Sequence, residues 1–146
     1  NIMADDCFVE IGKNSSFSGT EIHLWENKSN VIIGDDCIFA SSTILYCTDF
    51  HAIIEFDGKP VNRGREIIIG NHCWIGTGVK VLKNVQLAEN IIVGAGSVVS
   101  KSYRQNNVII AGNPSRIVKE NISWCPASYD EQMIIYYEKH KIKDEI

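Results

Sequence analysis

Apolar residues recur every six positions through the middle of this chain. Ile69, Ile75, Val81, Leu87, Val93 and Val99 keep the step without a break. Ile33, Phe39 and Leu45 keep it upstream, and a further fragment stands at Ile11-Gly12. Glycine or alanine often follows the apolar residue, as in Ile69-Gly70, Ile75-Gly76, Leu87-Ala88 and Val93-Gly94. Four positions after it come Cys73, Val79, Val85, Ile91 and Ser97, with Cys37 in the same relation to Ile33, all small or β-branched. A period of six matches neither an amphipathic helix nor an alternating strand. It matches a chain that runs round a triangle, with one short strand and one corner in each unit. Three units close a coil of eighteen residues, so Ile69 is expected under Leu87 and Ile75 under Val93. Neighbouring coils then pair as parallel strands about 4.8 Å apart, and each buries its interior only because the next one covers it. The small residue near each corner fits the narrow inside of the prism.

Two stretches break the rhythm. Residues 18–32 hold His23, Trp25 and a polar run, and they shift the register between Phe17 and Ile33. Residues 51–66 contain His51, Phe56, Asp57-Gly58-Lys59-Pro60 and Arg63-Gly64-Arg65, the composition of a turn-rich loop thrown out of the coil. Leu45 and Ile69 lie 24 residues apart, a multiple of six, so register does not tell how much chain is extruded. Past Ala127 the character changes. Ser128 and Glu131 have capping-box spacing, followed by Met133, Ile134, Ile135 and Tyr137 among charges. This predicts a helical tail over 128–146, packed on the prism or on a neighbour, beside a coiled domain over 1–127.

Composition narrows the classes. The chain has 146 residues, 14 basic and 18 acidic, for a formal charge of −4, which disfavours nucleic acid and anionic membranes as partners. No apolar run is long enough to cross a bilayer and no signal peptide opens the chain, so membrane insertion is not expected. Five cysteines without a CxxC pair read as reduced, small apolar side chains, which implies a cytoplasmic protein.

The strings Ile69-Gly-Asn-His-Cys-Trp-Ile-Gly76, Val93-Gly-Ala-Gly-Ser-Val-Val-Ser-Lys101 and Ala111-Gly-Asn-Pro-Ser-Arg116 resemble the hexapeptide-repeat O-acetyltransferases. They are most similar to the branch that modifies surface polysaccharides and sugars. The resemblance implies an all-β, left-handed parallel β-helix of hexapeptide repeats with an extruded loop and a short C-terminal helix. It also implies acetyl-CoA as co-substrate, a homotrimer with active sites between subunits, and a CoA arm lying between adjacent prisms.

Acetyl transfer to a hydroxyl needs a base for the hydroxyl proton, donors for the developing oxyanion and two substrates held in line. It does not need a metal or an acyl-enzyme. His51 is the expected base: it opens the extruded loop, imidazole accepts a proton near neutral pH, and its 23-residue distance from Trp74 is close to the family's spacing. Trp74 is expected to point outward beside the groove, with His23, Trp25 and Phe56 as further acceptor candidates. Gly76, Thr77 and Gly78 offer close backbone approach and an amide for the oxyanion, while Ala95 and Gly96 leave room for the pantetheine arm. Ser100, Lys101 and Lys119 match CoA-contacting positions in relatives, with Lys119 toward the nucleotide end. His72 is expected to face outward in a surface role, and His140 to be solvated. Relatives carry an asparagine on an earlier coil that orients the acceptor; here Glu21 and His23 lie near that register.

The expected activity is O-acetylation of a saccharide in a capsule, a lipopolysaccharide or a sugar precursor. N-acetylation of an amino-sugar nucleotide uses the same donor and base. A metal-dependent protein like the gamma-type carbonic anhydrases needs three closely spaced histidines, which His51 and His72, 21 residues apart, do not supply. A non-catalytic hexapeptide module is the remaining alternative.

Overall fold

The computed structural model describes residues 4–127 and 129–140. Strands β1 (Val9–Ile11), β2 (Ser16–Phe17) and β3 (Thr20–His23) form the first coil. The second is β4 (Val31–Ile33), β5 (Ile38–Phe39) and β6 (Thr43–Tyr46); the third is β7 (Ile67–Ile69), β8 (Trp74–Ile75) and β9 (Lys80–Leu82). The fourth is β10 (Gln86–Leu87), β11 (Ile91–Val93) and β12 (Val98–Val99). Each coil gives one strand to each of three parallel sheets. Face 1 stacks β1-β4-β7-β10, face 2 stacks β2-β5-β8-β11, and face 3 stacks β3-β6-β9-β12. The architecture is the left-handed parallel β-helix, with Leu87 over Ile69, Val93 over Ile75 and Val99 over Val81, as the period of six requires.

The core is the column of repeat residues. Ile33, Phe39, Leu45, Ile69, Ile75, Val81, Val93 and Val99 are buried, and so are Cys37, Cys73, Val79, Val85, Ile91 and Ser97 from the small set. The two ends differ. At the top, Tyr103 pairs with Leu87 and donates its hydroxyl hydrogen bond to Ser115 O at 2.6 Å. Above face 2, β13 (Val108–Gly112) adds a parallel strand and β14 (Ser115–Glu120) returns antiparallel through a turn with a cis Asn113-Pro114 bond. At the bottom, Val9, Ile11 and Phe17 occupy core positions yet remain at least 36% exposed, because no coil of the described residues lies beneath them.

The register settles the size of the loop. Leu45 pairs with Val81, 36 residues on, so the excursion adds one coil's length of chain. The backbone N–H of Arg65 donates to Cys47 O at 3.0 Å, closing the loop at its base. In the tail, helix α1 (Glu131–His140) is capped by Asp130, whose Oδ1 accepts from the backbone N of Gln132 at 3.0 Å. Ser128, expected as the cap, lies outside the described residues, as does the side chain of His140.

Candidate functional site

Face 3 and the loop it launches carry the first half of the site. The column of outward residues on this face stacks Tyr46 over His23, and their rings are parallel at 5.2 Å. Phe50 closes on both, edge-on to His23 at 5.4 Å and to Trp25 at 5.5 Å. Its backbone has φ 64, a conformation uncommon for a bulky residue. The side chain of Thr48 holds that turn by accepting from Phe50 N at 2.9 Å. The next residue is His51. Its main chain is held on both sides: its N–H donates to Asp49 O at 2.7 Å, and Asn62 Nδ2 donates to its carbonyl at 2.8 Å. Its imidazole is exposed and makes no hydrogen bond with a described residue.

Asn62 ties the two arms of the loop together. It also donates to Asp49 Oδ2 at 2.8 Å and accepts from Ile53 N at 2.6 Å. Lys83, on the prism, ion-pairs with Asp49 and donates to Asn62 O at 2.6 Å. The ammonium beside Asp49 lowers its carboxyl pKa. Beyond Asn62 the loop is a small hairpin with Ile54 opposite Pro60. Ile53, Ile54, Phe56 and Val61 stand exposed along it. Phe56 thus sits at the hairpin's turn, apart from the cluster of His23, Trp25 and Phe50. An open cleft of about 620 Å³ at the loop's return is lined by Lys59, Arg63, Arg65 and Lys83. Lys28, Lys59, Arg63 and Arg65 form no ion pair among the described residues.

The corner between faces 2 and 3 carries the second half. Gly76, Thr77, Gly78, Ala95 and Gly96 lie here on successive coils, so they form one continuous edge. Gly78 and Gly96 have φ of 69 and 70, and a Cβ on Gly96 would meet nothing within 4 Å. The edge is therefore flat and open. Gly76 is different: a Cβ there would sit 2.6 Å from Val93 O, so close stacking of coils accounts for it. The amides of Gly76, Gly78 and Gly96 are engaged by Val93 O, Ser41 O and Thr77 O at 2.8–3.0 Å. That removes the two glycine amides expected for the oxyanion. Thr77 and Ala95 keep N–H groups without a partner among the described residues.

Trp74 belongs to this side. It projects from face 2 just before the corner and is 42% exposed. The remaining expected contacts scatter. Ser100 and Lys101 follow β12 at the corner between faces 3 and 1, with the Lys101 ammonium 5.5 Å from the Tyr103 ring centre. Lys119 lies on β14 opposite Ile109, exposed at the top of face 2. The loop that carries His51 and the Thr77–Ala95 edge leave face 3 by opposite corners, and the face between them is a strand length of about 10–13 Å at three to four residues. One chain alone does not bring them together.

His72 is a correction. It was expected to face solvent, yet its ring is sandwiched at the corner between faces 1 and 2. Nδ1 is 2.7 Å from Asp36 Oδ2, Nε2 is 3.1 Å from Trp124 O, and Trp124 stacks on it at 4.3 Å. Sequence reasoning missed Trp124 and Asp36 because their partners lie 52 and 36 residues away. It also missed Tyr46, Asn62 and Lys83, whose roles depend on how the loop folds back. Among the described residues no group of three or more His, Cys, Asp or Glu is placed to hold a metal ion. No described helix is long and apolar enough to cross a membrane.

Residues 66–101 match the bacterial transferase hexapeptide model of six repeats. A polysialic acid O-acetyltransferase of Neisseria meningitidis is 39% identical over 132 residues, covering 90% of this chain and 61% of that protein. The crystal structure of the polysialic acid O-acetyltransferase OatWY superposes with a TM-score of 0.83 at 35% identity, over 94% of this chain and 64% of the other. A galactoside acetyltransferase solved in complex with coenzyme A superposes with a TM-score of 0.59 at 27% identity, over 78% of this chain and 58% of that one. The chain thus spans less than two thirds of the length of each of these relatives.

Proposed function

Since the chain belongs to the hexapeptide-repeat family, we propose that it moves an acetyl group from acetyl-CoA to a hydroxyl of an anionic saccharide, with His51 as general base. The observation that carries this reading is His51 itself: fixed through its backbone by Asp49 and Asn62, with its imidazole left to solvent. A base held in position and unengaged by any described residue is ready for a substrate proton. The imidazole takes the hydroxyl proton as the oxygen attacks the thioester carbonyl. The free N–H groups of Thr77 and Ala95 are suited to the oxyanion that forms. Collapse expels the CoA thiolate, which recovers the proton from the imidazolium, so no acyl-enzyme or metal is required.

The flat edge at Gly78 and Gly96 suits a pantetheine arm, which needs a backbone it can approach closely. The wide separation of this edge from His51 supports a homotrimer in which one subunit's loop faces the next subunit's corner. The exposed apolar hairpin of Ile53, Ile54, Phe56 and Val61 supports the same arrangement, as an arm suited to a neighbouring prism. Lys101 and Lys119 would then meet phosphates of CoA. Lys59, Arg63 and Arg65 around the open cleft at the loop's return, with Lys28 in the adjoining one, form no ion pair among the described residues and favour an acceptor bearing carboxylates. Two of the relatives, both named polysialic acid O-acetyltransferases, point the same way. Acetyl-CoA as donor supports a cytoplasmic location.

The test is acceptor-dependent thiol release from acetyl-CoA, with polysialic acid, neutral galactosides and amino-sugar nucleotides compared. Turnover is expected with the anionic polymer. His51→Ala is expected to lose about 10²–10⁴-fold in kcat while CoA binding is retained. Full turnover by His51→Ala would remove His51 as the base, and no CoA binding would remove the acetyltransferase reading altogether.

A further inference from the structure

The corner between faces 1 and 2 is a ladder of residues in the left-handed conformation: Asn14, Asp36, His72, Asn90 and Asn107, one per coil, with φ between 53 and 63. Asn and Asp tolerate this conformation best. The same backbone geometry points every ladder side chain along the corner. After β14 the chain descends this ladder against the direction of coil stacking, gripped at successive levels. Ile122 N donates to Asn107 O at 3.1 Å, and Asn90 Nδ2 donates to Ile122 O at 3.1 Å. Ser123 donates to Asn90 Oδ1 at 3.2 Å. Trp124 meets His72, and three coils below the start at Asn107, Tyr136 donates to Asp36 Oδ2 at 3.3 Å. The C-terminal segment is thus a strap laid down one edge of the prism.

At the level of His72 the grip is strongest and reciprocal. The imidazole lies against the Trp124 indole with 8° between the planes. Its Nε2 faces Trp124 O, while Trp124 Nε1 donates to His72 O at 2.9 Å. With Nδ1 on Asp36 as well, both ring nitrogens are engaged, so His72 is not a second base. Its consequence is seen one ring further on. Trp124, buried to 9% exposure, lies 6.0 Å from Trp74, which is 42% exposed. Trp124 is the only aromatic ring contact of Trp74 among the described residues.

We propose that His72 is a positioning residue of the acetyl-transfer groove: supported by Asp36, it fixes Trp124 as the backing wall of Trp74. This rests on the acetyltransferase reading for its effect on turnover, but not for its effect on the Trp74 ring. Loss of the clamp leaves the prism intact, since none of the three residues belongs to the stacked core, and lets the Trp74 indole swing.

The experiment separates the two layers. In a Trp25→Phe, Trp124→Phe background, Trp74 is the sole indole and the stack on His72 is kept. Adding His72→Ala is expected to shift Trp74 emission to the red and to increase its iodide quenching about twofold. In the otherwise native chain, His72→Phe keeps the stack and loses both ring hydrogen bonds. It is expected to raise the KM of the substrate lying on Trp74 about tenfold with kcat changed less than twofold. Asp36→Asn, which still offers Nδ1 an acceptor oxygen, is expected to restore most of what Asp36→Ala loses. Unmoved Trp74 fluorescence overturns the proposal. So does an equal fall in kcat and kcat/KM, which would assign His72 to the chemistry, and so does an Asp36→Asn no better than Asp36→Ala. If fluorescence moves but the native chain turns over no acceptor, the positioning role stands and the acetyltransferase reading falls.

Discussion

The regular rungs from Ile67 to Val99 and the excursion from Thr48 to Gly64 follow opposite rules. In the rungs the inward-facing apolar side chains are buried by the coil above and the coil below, and polar side chains hold little of the structure. In the excursion the apolar residues Ile53, Ile54, Phe56 and Val61 are exposed, and order comes from a few polar side chains: Thr48, Asp49, Asn62 and Lys83. Glu26 adds to them from the first irregular stretch, accepting from the Thr48 hydroxyl at 2.7 Å and from Gly64 N at 2.6 Å. The rungs are held by burial, the excursion by side-chain hydrogen bonds. One region sets stability and the other holds the proposed base, His51.

Substitutions can break that division or sharpen it. The largest effect is expected for Phe39→Ala, which empties a fully buried aromatic site in the coil just below those rungs. A loss of about 3–5 kcal/mol is expected by denaturant titration, whereas Phe56→Ala at the loop's turn should leave the midpoint unchanged. Gly76→Ala comes next. Its Cβ would press on backbone atoms of the coil above at 2.6 and 2.8 Å, which do not yield like a flexible side chain. A loss of about 1–3 kcal/mol is expected, and a wild-type midpoint would contradict the tight stacking. Asn62→Ala removes three tethers from the excursion and none from the core. Turnover should fall about tenfold through misplacement of His51, with thermal stability within about 1 kcal/mol of the parent. An equal loss in both would erase the distinction between the regions.

The smallest effect comes from acid. The carboxyl of Asp49 is lowered in the folded chain, chiefly by its hydrogen bond with Lys83. A depressed carboxylate stabilises the fold above its unfolded-state pKa, and that contribution is lost as pH falls through the folded value. The contacts of Asp49 should therefore hold through neutral and mildly acidic pH and weaken only below the ordinary aspartate range. Protection of the His51 and Ile53 amides, measured relative to the intrinsic exchange rate at each pH from 6 to 3, is expected to fall there. Protection that does not change would remove Asp49 from the anchoring set.

The same division explains what was readable in the sequence. Core residues recur at a fixed step because each coil must present the same profile to the next, so Ile69, Ile75, Val81 and Cys73 announced both face and register. The length of the excursion was hidden because it equals one coil, and a whole coil leaves the rhythm in phase. His51 is marked out in the sequence by its place at the loop's start and its spacing to Trp74, and its role as base rests on the proposal. The N–H groups of Thr77 and Ala95 were not separable from those of Gly76 and Gly78, since only the stacked corner shows which amides the next coil engages. His72 was misread because the residue covering it, Trp124, arrives from a segment with no repeat. Nothing local in Asn71-His72-Cys73 signals a strap descending from above.

The bond between Arg65 N and Cys47 O has a use outside catalysis. The two feet of the excursion stand one rung apart, so everything between them is a detachable cassette. Excising it and joining the feet with a short turn should leave an inert but folded rod. Other recognition loops of one coil's length could be grafted at the same junction without shifting the phase of any rung above it.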